Sequence, residues 1–159
     1  LGEQAGFEVL RTDVIRKELA SALALTEASH LYSTTMTDRV YAECRRRAGD
    51  LLFAGNRVLV DANFPLQHQR RDMDSLARSL GVPFCLFHCQ VPEEVALERI
   101  RGRTDDASDA TREVYHRQKE RWQPLEPDEL PQCITINTSG TVEEMVRTGL
   151  AALRQRGLA

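Results

Sequence analysis

Five residues, RVLVD at 57–61, limit what this chain can fold into more than any other stretch. The run is apolar on both faces and ends in an acid. Such a run suits a strand covered on either side, as in a parallel sheet. Short segments of the same kind recur at 7–12 (FEVLRT), 84–90 (FCLFHCQ) and 133–137 (CITIN). Between and after them the apolar spacing changes to that of helices, expected at 14–24, at 34–54, from Pro65 to about Leu80, from Pro92 to about Arg103, at about 110–122 and after TSGTVEE. Strand and helix alternating in this way predict a three-layer α/β domain with a parallel sheet.

The punctuation agrees with that plan. Asp13 stands where an N-cap belongs, and Gly55 follows the long helix where a left-handed residue ends one. The stripe Met36, Val40, Tyr41, Cys44, Ala48, Leu51 and Leu52 predicts one buried face on that helix. In the first helix Val14, Ile15, Leu19 and Leu23 are the expected apolar side. Gly81 and Pro83 end the next helix, and Thr141 with Glu144 has capping-box spacing. Segments 25–33 and 124–132 read as loops.

The length, 159 residues, suits one domain with its own core. Hydrophobic residues at 42% and charged residues at 28% exclude a disordered chain. A net charge of −3 argues against a nucleic-acid partner held by a general basic field. The cluster Arg45, Arg46 and Arg47 has no interleaved aromatics and reads as a solvated face. No apolar run reaches the roughly 18 residues of a membrane span, and the first residues lack a signal-peptide pattern. The cysteines Cys44, Cys85, Cys89 and Cys133 are too scattered for a disulfide framework, so a reducing cytoplasm is expected. Cys85 and Cys89 read as small buried hydrophobes, and His30, His68, His88 and His116 have no metal-binding spacing.

In open parallel sheets ligands bind beyond the carboxyl ends of the strands. Here those ends carry Asp13 and Arg16, Asp61 and Asn63, Gln90, and Asn137 to Gly140. Read alone, Asp13 and Arg16 suit a helix cap and a surface charge, Asp61 a turn residue, and Arg99 and Arg103, one helical turn apart, a basic helix end.

The stretches LRTDVIRKEL, YAECRRRAGDLLFAGNRVLVDANF, VALERIRGR and DDASDATREVYHRQKERWQPLEPDE, in this order, resemble the P-loop kinases. More narrowly they are similar to the ATP-binding kinase domains related to the polynucleotide kinase 5′-kinase module, often fused to an aminoglycoside-phosphotransferase-like domain. The resemblance implies a sheet ordered 2-3-1-4-5, with ATP and Mg²⁺ as cofactors. It implies Asp13 as general base or orienter of the acceptor hydroxyl and Arg16 as a grip on a substrate phosphate. Asp61 matches a Walker B position, which holds Mg²⁺ directly or through water, and Asn63 helps on the substrate side. Arg99 and Arg103 match arginines that close on the β- and γ-phosphates. Thr138, Ser139 and Gly140 match the loop beside the adenine. Residues 99–123 correspond to a lid-like segment, in which Asp105, Asp106, Ser108, Asp109, Gln118 and Trp122 match without a derived role.

One departure is large: the phosphate loop G-x-x-x-x-G-K-[ST] is nowhere among these residues. The resemblance implies that residues 1–159 are a single kinase domain entered about 25–30 residues late, with LGEQAG as the tail of its first helix. The first strand, central in the family, would then be missing, leaving the strands at 57–61 and 84–90 without a shared neighbour. Three functions follow: ATP-dependent phosphoryl transfer to a hydroxyl of a small molecule or nucleotide, a non-catalytic remnant serving interaction or regulation, and a polynucleotide 5′-hydroxyl kinase.

Overall fold

The computed structural model describes residues 2–25, 28–102 and 111–158. A helical turn, α1 (Gly2–Ala5), leads through Gly6, at a φ of 67° that favours glycine, into β1 (Phe7–Arg11). The chain continues as α2 (Thr12–Ala22), the short α3 (Ala28–Leu31) and the long α4 (Thr34–Phe53). Then come β2 (Arg57–Asp61), α5 (Gln67–Ser79), β3 (Leu86–Gln90) and α6 (Glu93–Arg101). Helix α7 (Arg112–Arg121), a 3-10 turn (Leu130–Gln132), β4 (Cys133–Asn137) and α8 (Val142–Gln155) complete it.

The strands pair in parallel, as the unbroken apolar run of β2 requires, but in two separate ribbons. In one, β1 lies beside β2, with Phe7 opposite Arg57 and Arg11 opposite Asp61. In the other, β3 lies beside β4, with Leu86 opposite Cys133 and Gln90 opposite Asn137. Among the described residues no backbone hydrogen bond joins β2 to β3. These two pairs match the 2-3 and 4-5 neighbours of the expected order.

Helix ends follow local chemistry. Ser33 caps α4 by accepting from the Met36 amide at 3.2 Å, and Thr141 and Glu144 form the expected box at α8. The cap of α2 differs from expectation. Helix α2 begins at Thr12, Arg11 holds the N-cap place without a side-chain bond, and Asp13 lies in the first turn. Thr12 explains the shift: its hydroxyl donates to the Asp61 carbonyl at 3.2 Å, so the end of β2 anchors the helix start. Helix α3 occupies part of the segment read as a loop, and α5 starts two residues after Pro65.

The core lies beside the first ribbon. Ile15, Ala20, Met36, Val40, Cys44 and Met73 are buried together, with Leu10, Val60, Phe64 and Phe84 packed against them. The α4 stripe is therefore as expected, whereas α2 buries Ile15 and Ala20 and leaves Val14 and Leu23 exposed. Helices α6 and α7 bury no residue. The accessible surface is 10028 Å², against about 8,000 Å² for a compact protein of this mass.

Candidate functional site

Two hollows form at the carboxyl ends of the strands. The larger, a cleft of about 880 Å³, lies between the ribbons. Asp61, Asn63 and Phe64 line it from the β2 side, all of β3 lines its opposite wall, and Asn137 closes the β4 end. The smaller, about 270 Å³, lies over α2 and holds Asp13, Arg16, Lys17 and Tyr32.

The wall of the large cleft depends on a strained turn. Phe64 has a φ of 44°, in the left-handed region that costs a bulky residue free energy. Its backbone is held at both ends. The Phe64 amide donates to the Tyr41 hydroxyl at 3.0 Å, and its carbonyl accepts from Arg70 Nη1 at 3.1 Å. The Tyr41 and Phe64 rings also pack, with centroids 5.4 Å apart. Burial pushes the Tyr41 phenol up to about 12, so it stays protonated across the physiological range.

Arg70 is the centre of this region and is almost wholly buried. Its Nε and Nη2 donate to the two carboxylate oxygens of Glu129 at 2.6 and 3.0 Å, and Nη2 also donates to the Pro124 carbonyl at 3.2 Å. The guanidinium beside Glu129 holds that carboxyl below the usual carboxylate range. Arg70 lies over the Trp122 ring at 5.0 Å, and Trp122 stacks on His88 of β3 at 5.3 Å and 14°. Burial, aided by the Arg70 charge, lowers the His88 pKa and favours a neutral imidazole. The Gln123 amide donates to the Pro65 carbonyl at 2.8 Å, and the Gln67 amide to Gln123 Oε1 at 2.7 Å. The end of α7 is thus fastened to the turn that follows Asp61.

Sequence reasoning missed Arg70 and Glu129. They are 59 residues apart, and nothing local marks them as partners. Trp122, which the resemblance matches without a role, is the plate between Arg70 and His88.

The expected site residues fall into three groups. Asp61 and Asn63, expected as a metal ligand and a substrate contact, both line the large cleft. Asp61 is mostly exposed and meets Arg11 Nε at 3.4 Å. One accessible carboxylate, with amide oxygens of Asn63 and Asn137 along the same cleft, fits Mg²⁺ held mainly by water and phosphate oxygens. A closed protein cage is not formed: no cluster of three or more acidic, histidine or cysteine side chains exists among the described residues.

Asp13 and Arg16 occupy the second hollow. Arg16 Nη1 donates to the Leu31 carbonyl at 2.8 Å and approaches Thr37 Oγ1 at 3.5 Å, while its guanidinium lies 5.2 Å from the Tyr32 ring centre. Its Nε is buried with no hydrogen-bond partner. Arg16 is therefore no solvated surface charge. Tyr41 feels the charges of both Arg16 and Asp13 while bonding to Phe64, so it links the small hollow to the wall of the large one.

The third group lies after β4. Thr138 donates from its amide and hydroxyl to the Gln90 carbonyl, at 2.7 and 3.1 Å, and the Ser139 amide donates to Asn137 Oδ1 at 2.9 Å. Arg99 Nη2 donates to the carbonyls of Ser139 and Gly140 at 3.4 and 3.2 Å. Arg99 therefore sits against the loop matched to the adenine. Arg103, with Asp105, Asp106, Ser108 and Asp109, lies outside the described residues. The arginine cluster on α4 is an ion-paired face: Arg46 binds Glu43 and Asp50, and Arg47 binds Glu43 and Glu18.

A family described as AAA domain matches residues 1–125. The chain belongs to that family. Uncharacterized proteins of Mycobacterium tuberculosis and Mycobacterium bovis are 30% identical to it over 119 residues, 72% of this chain. The chain spans 24% of the length of those relatives. Among solved structures, a gluconokinase from Sinorhizobium meliloti superposes with a TM-score of 0.67 at 16% identity, over 97% of this chain and 81% of that one. The Mycobacterium tuberculosis APS kinase, solved with AMPPNP and APS, gives 0.62 at 19% identity, over 94% and 80%. At such identities the likeness is one of fold. This AAA-domain chain has the parallel α/β fold of P-loop kinases.

Proposed function

We propose that this domain transfers a phosphoryl group from ATP to a hydroxyl of a small molecule or nucleotide, in the cytoplasm. The observation that carries the reading is that two polar groups lie in two hollows at the carboxyl ends of parallel strands. Asp13 and Arg16 adjoin, through Tyr41 and Phe64, the cleft that holds Asp61, Asn63 and Asn137. Phosphoryl transfer asks a protein for positioning and charge neutralisation more than for covalent chemistry. In this reading Asp13 orients the acceptor hydroxyl and takes its proton. Arg16 holds an anionic group of the acceptor, for which its buried, unpaired Nε offers a donor. Thr138, Ser139 and Gly140, braced by Arg99, face the nucleotide base, and Arg103 serves the phosphates from the lid-like segment. Mg²⁺ bound at Asp61 would neutralise phosphate charge.

The phosphate cradle itself is not among these residues, so the reading requires that another segment supply it. The same observation favours a second reading, a nucleotide-binding fold kept for interaction or regulation. A polynucleotide 5′-hydroxyl substrate is the narrower version of the first reading. The ion pairs of Arg46 and Arg47 remove the most obvious basic stripe for it.

The test is phosphoryl transfer from labelled ATP by the full-length parent protein across a panel of hydroxyl acceptors. Turnover is expected, and Asp13→Asn should lower it by roughly a hundredfold or more while ATP affinity stays constant. Unchanged turnover in D13N would remove Asp13 from the mechanism, and no transfer to any acceptor would favour the regulatory reading.

A further inference from the structure

Two arginines of this fold are held in opposite ways. Arg70 directs Nε and Nη2 at the two carboxylate oxygens of Glu129, at 2.6 and 3.0 Å. Arg16 is anchored through its other corner. Its Nη1 donates to the Leu31 carbonyl at 2.8 Å, while its Nε is buried with no hydrogen-bond partner. The edge with which Arg70 grips a carboxylate therefore carries, in Arg16, an unsatisfied donor. A buried charged donor left so is unfavourable, and a planar anion on that edge would relieve it.

The hollow of about 270 Å³ that Arg16 lines has a definite chemistry. Asp13, Arg16, Lys17, Ala20 and Ser21 recur at three- and four-residue spacing, so one face of α2 forms one side of it. Leu25, Leu31 and Tyr32 complete the lining among the described residues. Leu25 and Leu31 also pack against the buried core, which fixes them in place, and the Tyr32 ring centre lies 5.2 Å from the Arg16 guanidinium. Two cations and one acid leave a balance of one positive charge, which suits a monoanion. A phosphate dianion would bring uncompensated charge against apolar side chains, at a cost in desolvation. The volume lies just below the roughly 300–1,000 Å³ of pockets for drug-sized ligands, too little to enclose a nucleotide.

We propose that this hollow takes a small monocarboxylate with an apolar body. Its carboxylate lies on the Nε edge of Arg16, and its body lies against Leu25, Leu31 and Tyr32. The proposal rests on the phosphoryl-transfer reading in one respect, that this ligand is the acceptor. Its hydroxyl then faces Asp13, one helical turn from Arg16, so hydroxyl and carboxylate stand close together in the molecule. On transfer the acceptor oxygen bonds to the γ-phosphorus of ATP and the bond from that phosphorus to ADP breaks. The hydroxyl proton passes to the Asp13 carboxylate.

The test uses the full-length parent protein and four probes: 3-hydroxyoctanoate, its methyl ester, gluconate and adenosine 5′-monophosphate. Calorimetry reads affinity, and hydrogen exchange read by mass spectrometry gives the place. 3-Hydroxyoctanoate should bind saturably and slow exchange across α2 and α3. The ester, which lacks the anion, and gluconate, which lacks the apolar body, should each bind about tenfold or more weaker. Arg16→Lys keeps the charge but loses the planar edge, and it should weaken 3-hydroxyoctanoate by a similar factor. No binding of 3-hydroxyoctanoate, slowed exchange only outside α2 and α3, or equal binding of acid and ester would overturn the proposal. So would tighter binding of gluconate or adenosine 5′-monophosphate. These comparisons are made on the unaltered protein, so they hold even where R16K fails to fold. Binding over α2 with no ATP-dependent phosphorylation of any bound probe would overturn the phosphoryl-transfer reading and leave the carboxylate site standing. Preferred phosphorylation of gluconate or adenosine 5′-monophosphate would do the reverse.

Discussion

The two ribbons have similar strands and very different surroundings. The β1–β2 ribbon lies against a closed core, in which Val40 and Cys44 are wholly buried and Ile15 is 2% exposed. The β3–β4 ribbon buries Ile136 beneath it and Leu153 on α8, while α6 and α7 add no buried residue. The difference lies in the helices. Helices α2, α4 and α5 bring regularly spaced small and apolar side chains to the first ribbon. Helix α7 reads REVYHRQKER and has little apolar surface to contribute. The hollow of Asp13 and Arg16 is thus built on the consolidated half, and the 138–140 loop on the thinly covered one. What ties the halves is polar: the Arg70–Glu129 pair, with Trp122 stacked between Arg70 and His88.

The hardest test of that comparison is to cut the tie. Glu129→Gln leaves the Arg70 charge buried without its counter-ion, a loss of about 3–5 kcal/mol in chemical denaturation, since broken buried pairs cost far more than surface ones. The pH dependence has a definite sign. Glu129 has a lowered pKa in the fold, so its contribution is present above the ordinary carboxylate pKa and fades as pH falls through the lowered value. Stability of the parent chain should decline in acid, and E129Q should show a shallower decline. Identical acid limbs would mean that the pair does not join the halves energetically.

Truncations in each half come next. Ile15→Ala should cost about 2–5 kcal/mol, because the closed core cannot collapse around the vacancy. Leu153→Ala should fall at the lower end of the same range, because the looser half can relax. Equal costs would erase the distinction between the halves. The smallest effect is expected at the turn. Tyr41→Phe leaves the Phe64 amide without its acceptor, a loss of about 1–3 kcal/mol with little change in packing. A neutral result would show that the left-handed turn is held by Arg70 alone.

Much of the fold was legible because its signals are local. The unbroken apolar run at 57–61 called for a parallel strand, the α4 stripe marked its buried face, and Thr141 with Glu144 capped α8. The N-cap of α2 lies two residues before the expected Asp13 because the deciding contact, Thr12 to Asp61, spans 49 residues. The site was legible in part. Strand ends carry their own residues, so the places of Asp61, Asn63 and the 138–140 loop just beyond β2 and β4 follow from order alone. Arg70, a cation within a polar helix, looked like any surface arginine until Glu129, Pro124 and Phe64 surrounded it.

The sequence by itself determined which segments are strands, which are helices, and that polar groups gather where the strands end. Alternation of apolar residues and capping chemistry act within a few residues, and both can be read along a line. Only the tertiary structure decided that Asp13 and Arg16 sit in a hollow of their own and that Arg70 binds the two halves. Those outcomes depend on which backbone edges and buried charges find partners far along the chain, and such partners are chosen only when the whole chain packs.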